Sequence, residues 1–289
     1  MNTETLEVPL GPTGSDDHPS ESFPPAKILV SWSPERITGH AWLHHGFARN
    51  PSHLERLTIA LTDAGFLVAR PHVSSFRRPR TLNDGPFLTG VIRGYATAVG
   101  GGAVSDLVGH DVAPLGVVMI GHSAGGAVVV HQGAALRTGA TTPREPVLTV
   151  RGVVLLDANE SLSKLMEPAL GALADLPILL CSARPHRCNR QAMVSGMLLE
   201  RREGFVGAMF TSGGHCDAEG SADLTCRAMC GGGAPDPANV AALHGLCVAW
   251  AADCAGGVVD PHWRPGGEEY DELVETGRIR TLAAPPEVR

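Results

Sequence analysis

Strand-like and helix-like segments alternate along this chain from about residue 26 to residue 254, and that alternation restricts the fold more than any other feature. Three short apolar runs anchor it: "LGVVMIG" (115–121), "RGVVLLD" (151–157) and "LPILLCS" (176–182). Apolar runs of this length between turn residues are the pattern of strands covered on both faces. "KILVSW", "GHAWLHHGF", "FLVARPHV" and "GFVGAMFTSG" read as further strands. "PSHLERLTIALTDAG" sets Leu54, Leu57, Leu61 and Ala64 at helical spacing, opened by Pro51 and Ser52 and closed by Gly65. Helical stretches are also expected over Pro86–Val108, at "AGGAVVVHQGAAL", around Ser161–Leu173, and, amphipathic, over Pro237–Cys254. The alternation implies right-handed crossovers, hence an α/β fold with a mostly parallel twisted sheet and helices on both faces.

The segments on either side are less regular. Residues 1–25, rich in Pro, Gly, Ser and Asp, read as an irregular leader with an edge strand near Leu6–Leu10. Residues 255–289 form a charged, Gly/Pro-rich C-terminal extension, expected to wrap the domain or stay mobile, with a helix around Glu268–Thr276. Residues 26–254 are then one domain.

Composition removes several classes of function. With 289 residues, 43% of them hydrophobic, the chain can bury a full core. Its net charge of −7 and lack of a basic stripe argue against a nucleic-acid partner. The first thirty residues contain Glu4, Glu7, Asp16, Asp17 and Glu21 and no apolar signal region. No run approaches the roughly 18 apolar residues of a membrane span, so a cytoplasmic protein without a membrane span is expected. Seven cysteines leave at least one unpaired, and in a reducing compartment most would be thiols. His215, Cys216, Cys226 and Cys230 are of metal-ligand type, but their spacing fits no common zinc module, and neither metal nor cofactor is expected.

The apolar run at 115–121 ends in Gly-His-Ser-Ala-Gly-Gly, residues 121–126, before "AVVV" resumes. Gly-x-Ser-x-Gly alone is a weak motif. Its place, where a buried strand ends and a helix begins, is the setting of a nucleophile elbow. So tight a turn forces Ser123 into a strained backbone conformation and aims the Ala124 amide at a substrate, beside the positive end of the following helix.

A serine so placed needs a base, and the base needs an orienting carboxylate. Asp157 ends the strand "VVLLD", with Glu160 in reserve; the stretch after the next strand, "ILLCSARPHRCNRQ", holds no acid. Asp157 could instead cap a helix, a common role for aspartate. Among thirteen histidines, His215 is the best candidate base, in a glycine loop directly after the last strong strand. His122 adjoins the serine but points away from it, which suits packing or lining the site; His244 lies within a helical pattern and reads as structural. His44 and His45 lie in the turn after an early strand, where the amide of Phe47 would supply a second oxyanion donor and Gly46 permits the turn. An ordinary strand-to-helix loop remains the alternative there.

"WLHHGFARNPSHLERLTIALTDAGFLVARP", "GHSAGG", "LLDANE" and "GGHCD" together resemble the α/β-hydrolases, nearest to their chlorophyllase-like and polyester-hydrolase-like (cutinase-like) branches. The resemblance covers about residues 26–254. Relatives often have Asp-Pro where this chain has Asp157-Ala158, a change that leaves the carboxylate in place. The resemblance implies an α/β-hydrolase fold without a large lid domain. It also implies a Ser123-His215-Asp157 triad hydrolysing a small-molecule carboxylic ester or thioester through an acyl-enzyme. An acyltransferase or biosynthetic thioesterase with the same triad, and a non-catalytic binding protein of this fold, are the alternatives. A loop at Pro71–Gly85 with Arg77, Arg78 and Arg80 reads first as solvated and second as a face for an acidic substrate.

Overall fold

The structure, a computed structural model, describes residues 1–11, 24–76, 81–138, 148–160, 164–202, 205–221, 224–231 and 233–283. In chain order the strands are β1 (Asn2–Val8), β2 (Ala26–Trp32), β3 (Gly39–His44), β4 (Phe66–Pro71), β5 (Val117–His122), β6 (Val150–Leu156), β7 (Ile178–Ser182), β8 (Val206–Phe210) and β9 (Ile279–Ala283). The helices are α1 (Glu55–Asp63), α2 (Gly85–Gly100), α3 (Ala103–Val108), α4 (Ala124–Thr138), α5 (Met166–Ala169), α6 (Met193–Arg201), α7 (Leu224–Cys230), α8 (Pro237–Gly256) and α9 (Glu268–Glu275). The strands form one nine-stranded sheet in the order β1-β2-β4-β3-β5-β6-β7-β8-β9. From β4 to β8 every neighbouring pair is parallel. The pairings β1–β2, β2–β4 and β8–β9 are antiparallel.

Alternating side chains of each central strand enter two separate cores. From β5, Val117 and Met119 join Val91, Tyr95 and Val129 of α2 and α4 on one face. Val118 and Ile120 join Leu57 of α1 and Leu246 and Trp250 of α8 on the other. This is why the central strands read as continuous apolar runs: both faces are covered. Helix α8 is long and apolar enough to cross a membrane by length and composition alone. Here it lies against the sheet, with Leu246, Cys247 and Trp250 buried.

Several expected boundaries move. The stretch Pro86–Val108 is two helices, because Gly102 adopts a left-handed backbone (φ +85°) between α2 and α3. The edge strand sits at Asn2–Val8, set by its pairing with β2, not at Leu6–Leu10. Around Ser161–Leu173 the described residues form only short α5 and a 3-10 turn over Leu170–Leu173, while Ser161–Ser163 lie outside the described residues. So do Arg77, Arg78 and Arg80. The C-terminal segment supplies α9 close to its expected place and then β9, which continues the sheet beyond β8.

Strand β9 buries Ile279 and Leu282, and Tyr270 of α9 donates a hydrogen bond to the Gly207 carbonyl of β8 (3.1 Å). Each buried aliphatic side chain is worth about 2 kcal/mol. A chain ended after Thr276 is therefore expected to lose roughly 4 kcal/mol of stability, read as a lower urea midpoint. An unchanged midpoint would show that β9 adds nothing to the fold.

Candidate active site

Ser123 sits between β5 and α4 with φ +56°, a left-handed conformation that only a tight, well-supported turn imposes on a serine. Its amide donates to the Leu156 carbonyl (3.0 Å), and its own carbonyl accepts the amides of Gly126 (2.9 Å) and Asn159 (3.0 Å). The strained residue is thus fastened to the end of β6. A Cβ on Gly125 would stand 2.5 Å from the carbonyl oxygens of His44 and His45, so the turn packs directly against the end of β3.

The side chains selected from the sequence converge here. Ser123 Oγ donates to His215 Nε2 at 2.8 Å, and His215 Nδ1 donates to Asp157 Oδ2 at 2.6 Å. All three residues are buried. Asp157 is not a helix cap: with φ +42° it turns out of β6 towards the loop after β7. That loop surrounds its carboxylate. Oδ1 accepts the Ala183 amide (2.9 Å) and Asn189 Nδ2 (3.0 Å), and Oδ2 accepts His186 Nε2 (3.0 Å) as well as His215. Burial by itself would raise the Asp157 pKa. The hydrogen bonds from His186, His215 and Asn189 reverse this and hold it well below the usual carboxylate range. Glu160, the reserve acid, instead accepts the Met166 amide (3.1 Å) and the Glu167 amide (3.0 Å) at the start of α5.

His122 does point away from the serine. Its Nε2 donates to the backbone carbonyl of His215 (2.8 Å), and its Nδ1 faces Glu219 Oε1 at 3.6 Å. Glu219 in turn pairs with Arg49 Nε at 2.9 Å. The loop bearing His215 is thus held from below by a buried cluster. His44 and His45 donate through Nδ1 to the carbonyls of His45 (3.0 Å) and Gly46 (2.9 Å), fixing the turn that precedes Phe47. His244 donates to the Ala218 carbonyl (3.1 Å), consistent with a structural role.

Ser123 and His215 open into a cleft of about 290 Å³ that Phe47, Ala124, Leu82 and Met229 also line. One wall is α7, which the sequence did not suggest. Disulfides Cys188–Cys230 and Cys216–Cys226 fasten it to the loop after β7 and to the residue following His215. Four of the seven cysteines are therefore paired, contrary to the expectation of mostly free thiols; Cys181, Cys247 and Cys254 are buried thiols. The pairing also spends the sulfurs of Cys216, Cys226 and Cys230 that would be needed for a metal site with His215. Among the described residues, two sets of ligand-type atoms lie within 4.8 Å of one another, Asp157/His186/His215 and Cys188/His215/Cys230. In the first the groups bind each other by hydrogen bonds, and in the second the sulfurs form a disulfide.

Burial lowers the pKa of His40 and His44 to about 4 and of His45 and His122 to about 3. The unfolded chain takes up protons at these positions below about pH 6.5, whereas the folded protein does not until about pH 4 or lower. Stability therefore falls as pH drops through this window, by about 1.4 kcal/mol per pH unit for each such histidine. Urea midpoints at pH 7 and pH 5 are expected to differ clearly; equal midpoints would contradict the buried neutral imidazoles.

Comparison with protein-family models gives no matching family, and comparison with curated proteins gives no match.

Proposed function

We propose that this chain is a serine hydrolase of the α/β-hydrolase fold that cleaves carboxylic esters through an acyl-enzyme. The observation that carries the reading is the unbroken hydrogen-bonded series Ser123 Oγ–His215 Nε2–His215 Nδ1–Asp157 Oδ2, at 2.8 and 2.6 Å, with the serine on a strained strand-to-helix turn facing a cleft. The strand order, with the serine after β5 at the centre of the sheet, supports the same fold. The chain order Ser123, Asp157, His215 agrees with it.

His215 accepts the Ser123 proton as Oγ attacks the carbonyl carbon. Asp157 steadies the imidazolium and remains ionised, since its acidity is raised so far. The amides of Phe47 and Ala124 receive the developing oxyanion, and the N-terminus of α4 adds positive potential there. His215 then protonates the leaving alcohol, and water repeats the sequence in reverse to release the acid. A cleft of about 290 Å³, at the small end of ligand sites, suits acyl groups of modest size. Apolar contacts from Phe47, Leu82 and Met229 suit an aliphatic or aromatic acyl chain. Thioesters share the carbonyl chemistry and belong to the same class.

Incubation with a fluorophosphonate is expected to label Ser123 in the wild-type protein and to leave Ser123→Ala unlabelled. Labelling at another residue, or none, would end the reading. Asp157→Asn is expected to lower turnover of a p-nitrophenyl ester by on the order of ten-thousand-fold. A loss under tenfold would remove Asp157 as the orienting acid.

A further inference from the structure

Asp157 Oδ2 receives two imidazoles. His215 Nδ1 approaches at 2.6 Å and His186 Nε2 at 3.0 Å, with the two ring centroids 5.3 Å apart in an edge-on arrangement. A serine–histidine–acid relay needs only the first. The second comes from the loop after β7, which the sequence offered as a place for an acid and which holds a base instead.

The tautomer of His186 follows from its neighbours. The Cys188 amide donates to His186 Nδ1 at 3.1 Å, which requires that nitrogen to be unprotonated. The proton of the neutral ring is therefore on Nε2, directed at Asp157. The loop that presents this ring is clamped on three sides. Cys188 is joined to Cys230 of α7, Asn159 Nδ2 donates to the Cys188 carbonyl (2.9 Å), and Arg187 donates to the Ala228 carbonyl. His186 itself donates its amide to Asn189 Oδ1 (2.9 Å), while Asn189 Nδ2 holds Asp157 Oδ1. The side chain of His186 is 22% exposed and that of Asp157 4%, so the ring lies between the carboxylate and solvent.

We propose that His186 is a positioning residue for the triad proposed above: as a neutral Nε2–H donor it fixes the rotation of the Asp157 carboxylate and keeps water from Oδ2, so that His215 is held in the orientation that serves Ser123. The inference rests on the proposed hydrolase reading. With Oδ1 anchored by Ala183 and Asn189, the carboxylate turns about one axis, and His186 stops that rotation. Without this donor Oδ2 keeps only its bond to His215 and gains access to water, which competes for it. The cost falls on the chemical step, because His186 is not among the residues lining the cleft.

Three variants separate positioning from scaffolding. His186→Ala removes both hydrogen bonds. His186→Asn keeps an acceptor for the Cys188 amide but is too short to reach Asp157. His186→Gln carries an amide donor at about the reach of the imidazole Nε2. With p-nitrophenyl acetate, the alanine and asparagine variants are expected to lose roughly tenfold in kcat with KM within about twofold, and the fluorophosphonate labelling rate of Ser123 to fall in parallel. The glutamine variant is expected to recover to within about threefold of wild type. Wild-type kcat in the asparagine variant would overturn the proposal, as would a loss confined to KM. Equal loss in asparagine and glutamine variants would overturn it as well. If the wild-type protein itself is neither labelled nor active, the hydrolase reading fails and this inference falls with it; an active wild type with unaffected variants sinks this inference alone.

Discussion

The parallel pairing of β5 with β6 is the constraint on which the rest of the site depends. It sets His122 beside Leu156, so the residues that follow, Ser123 and Asp157, leave the sheet from adjacent strands at the same edge. Two backbone hydrogen bonds lock that edge: the Ser123 amide to the Leu156 carbonyl and the Asn159 amide to the Ser123 carbonyl. The left-handed backbones of Ser123 and Asp157 are each unfavourable by about 1–3 kcal/mol. They persist because these bonds and the close packing of Gly125 on the end of β3 leave no relaxed alternative. The strain belongs to the geometry that exposes the hydroxyl and turns the carboxylate towards the loop after β7.

Buried imidazoles surround that frame. His44, His45 and His122 each satisfy a backbone carbonyl in a turn that bears a site residue, and burial keeps all three neutral. They hold loop carbonyls in place. Covalent links do comparable work on the other wall. Cys226 and Cys230, four residues apart and so on one face of α7, join that helix to two different loops of the site.

The central strands, the serine turn and the three side chains hydrogen-bonded there were legible in the sequence because each is a local pattern: an apolar run, a glycine-flanked serine, a polar residue just beyond a strand. The parts that escaped depend on distant partners. Strand β9 contains Arg280 and Thr281, and its two buried residues, Ile279 and Leu282, are three apart, so no alternation marks it; its pairing with β8 makes it a strand. Helix α7 is a seven-residue element followed by a run of glycines, and the disulfides that fasten it reach Cys188 and Cys216, which lie outside it. His186 sits in "SARPHRCNRQ", which has no periodicity. Its relation to Asp157 arises only when the loops after β6 and β7 meet. The segment lacks an acid and instead carries a hydrogen-bond donor to Asp157.

The central claim is that His215 and Asp157 share a short, water-shielded hydrogen bond in the resting protein. Proton NMR of the wild-type protein in water reads this bond directly, through the resonance of the His215 Nδ1 proton. The account predicts a slowly exchanging signal far downfield of the backbone amides, present in Ser123→Ala and lost in both Asp157→Asn and His215→Ala. No such signal in the wild-type protein, or its survival in Asp157→Asn, would contradict it.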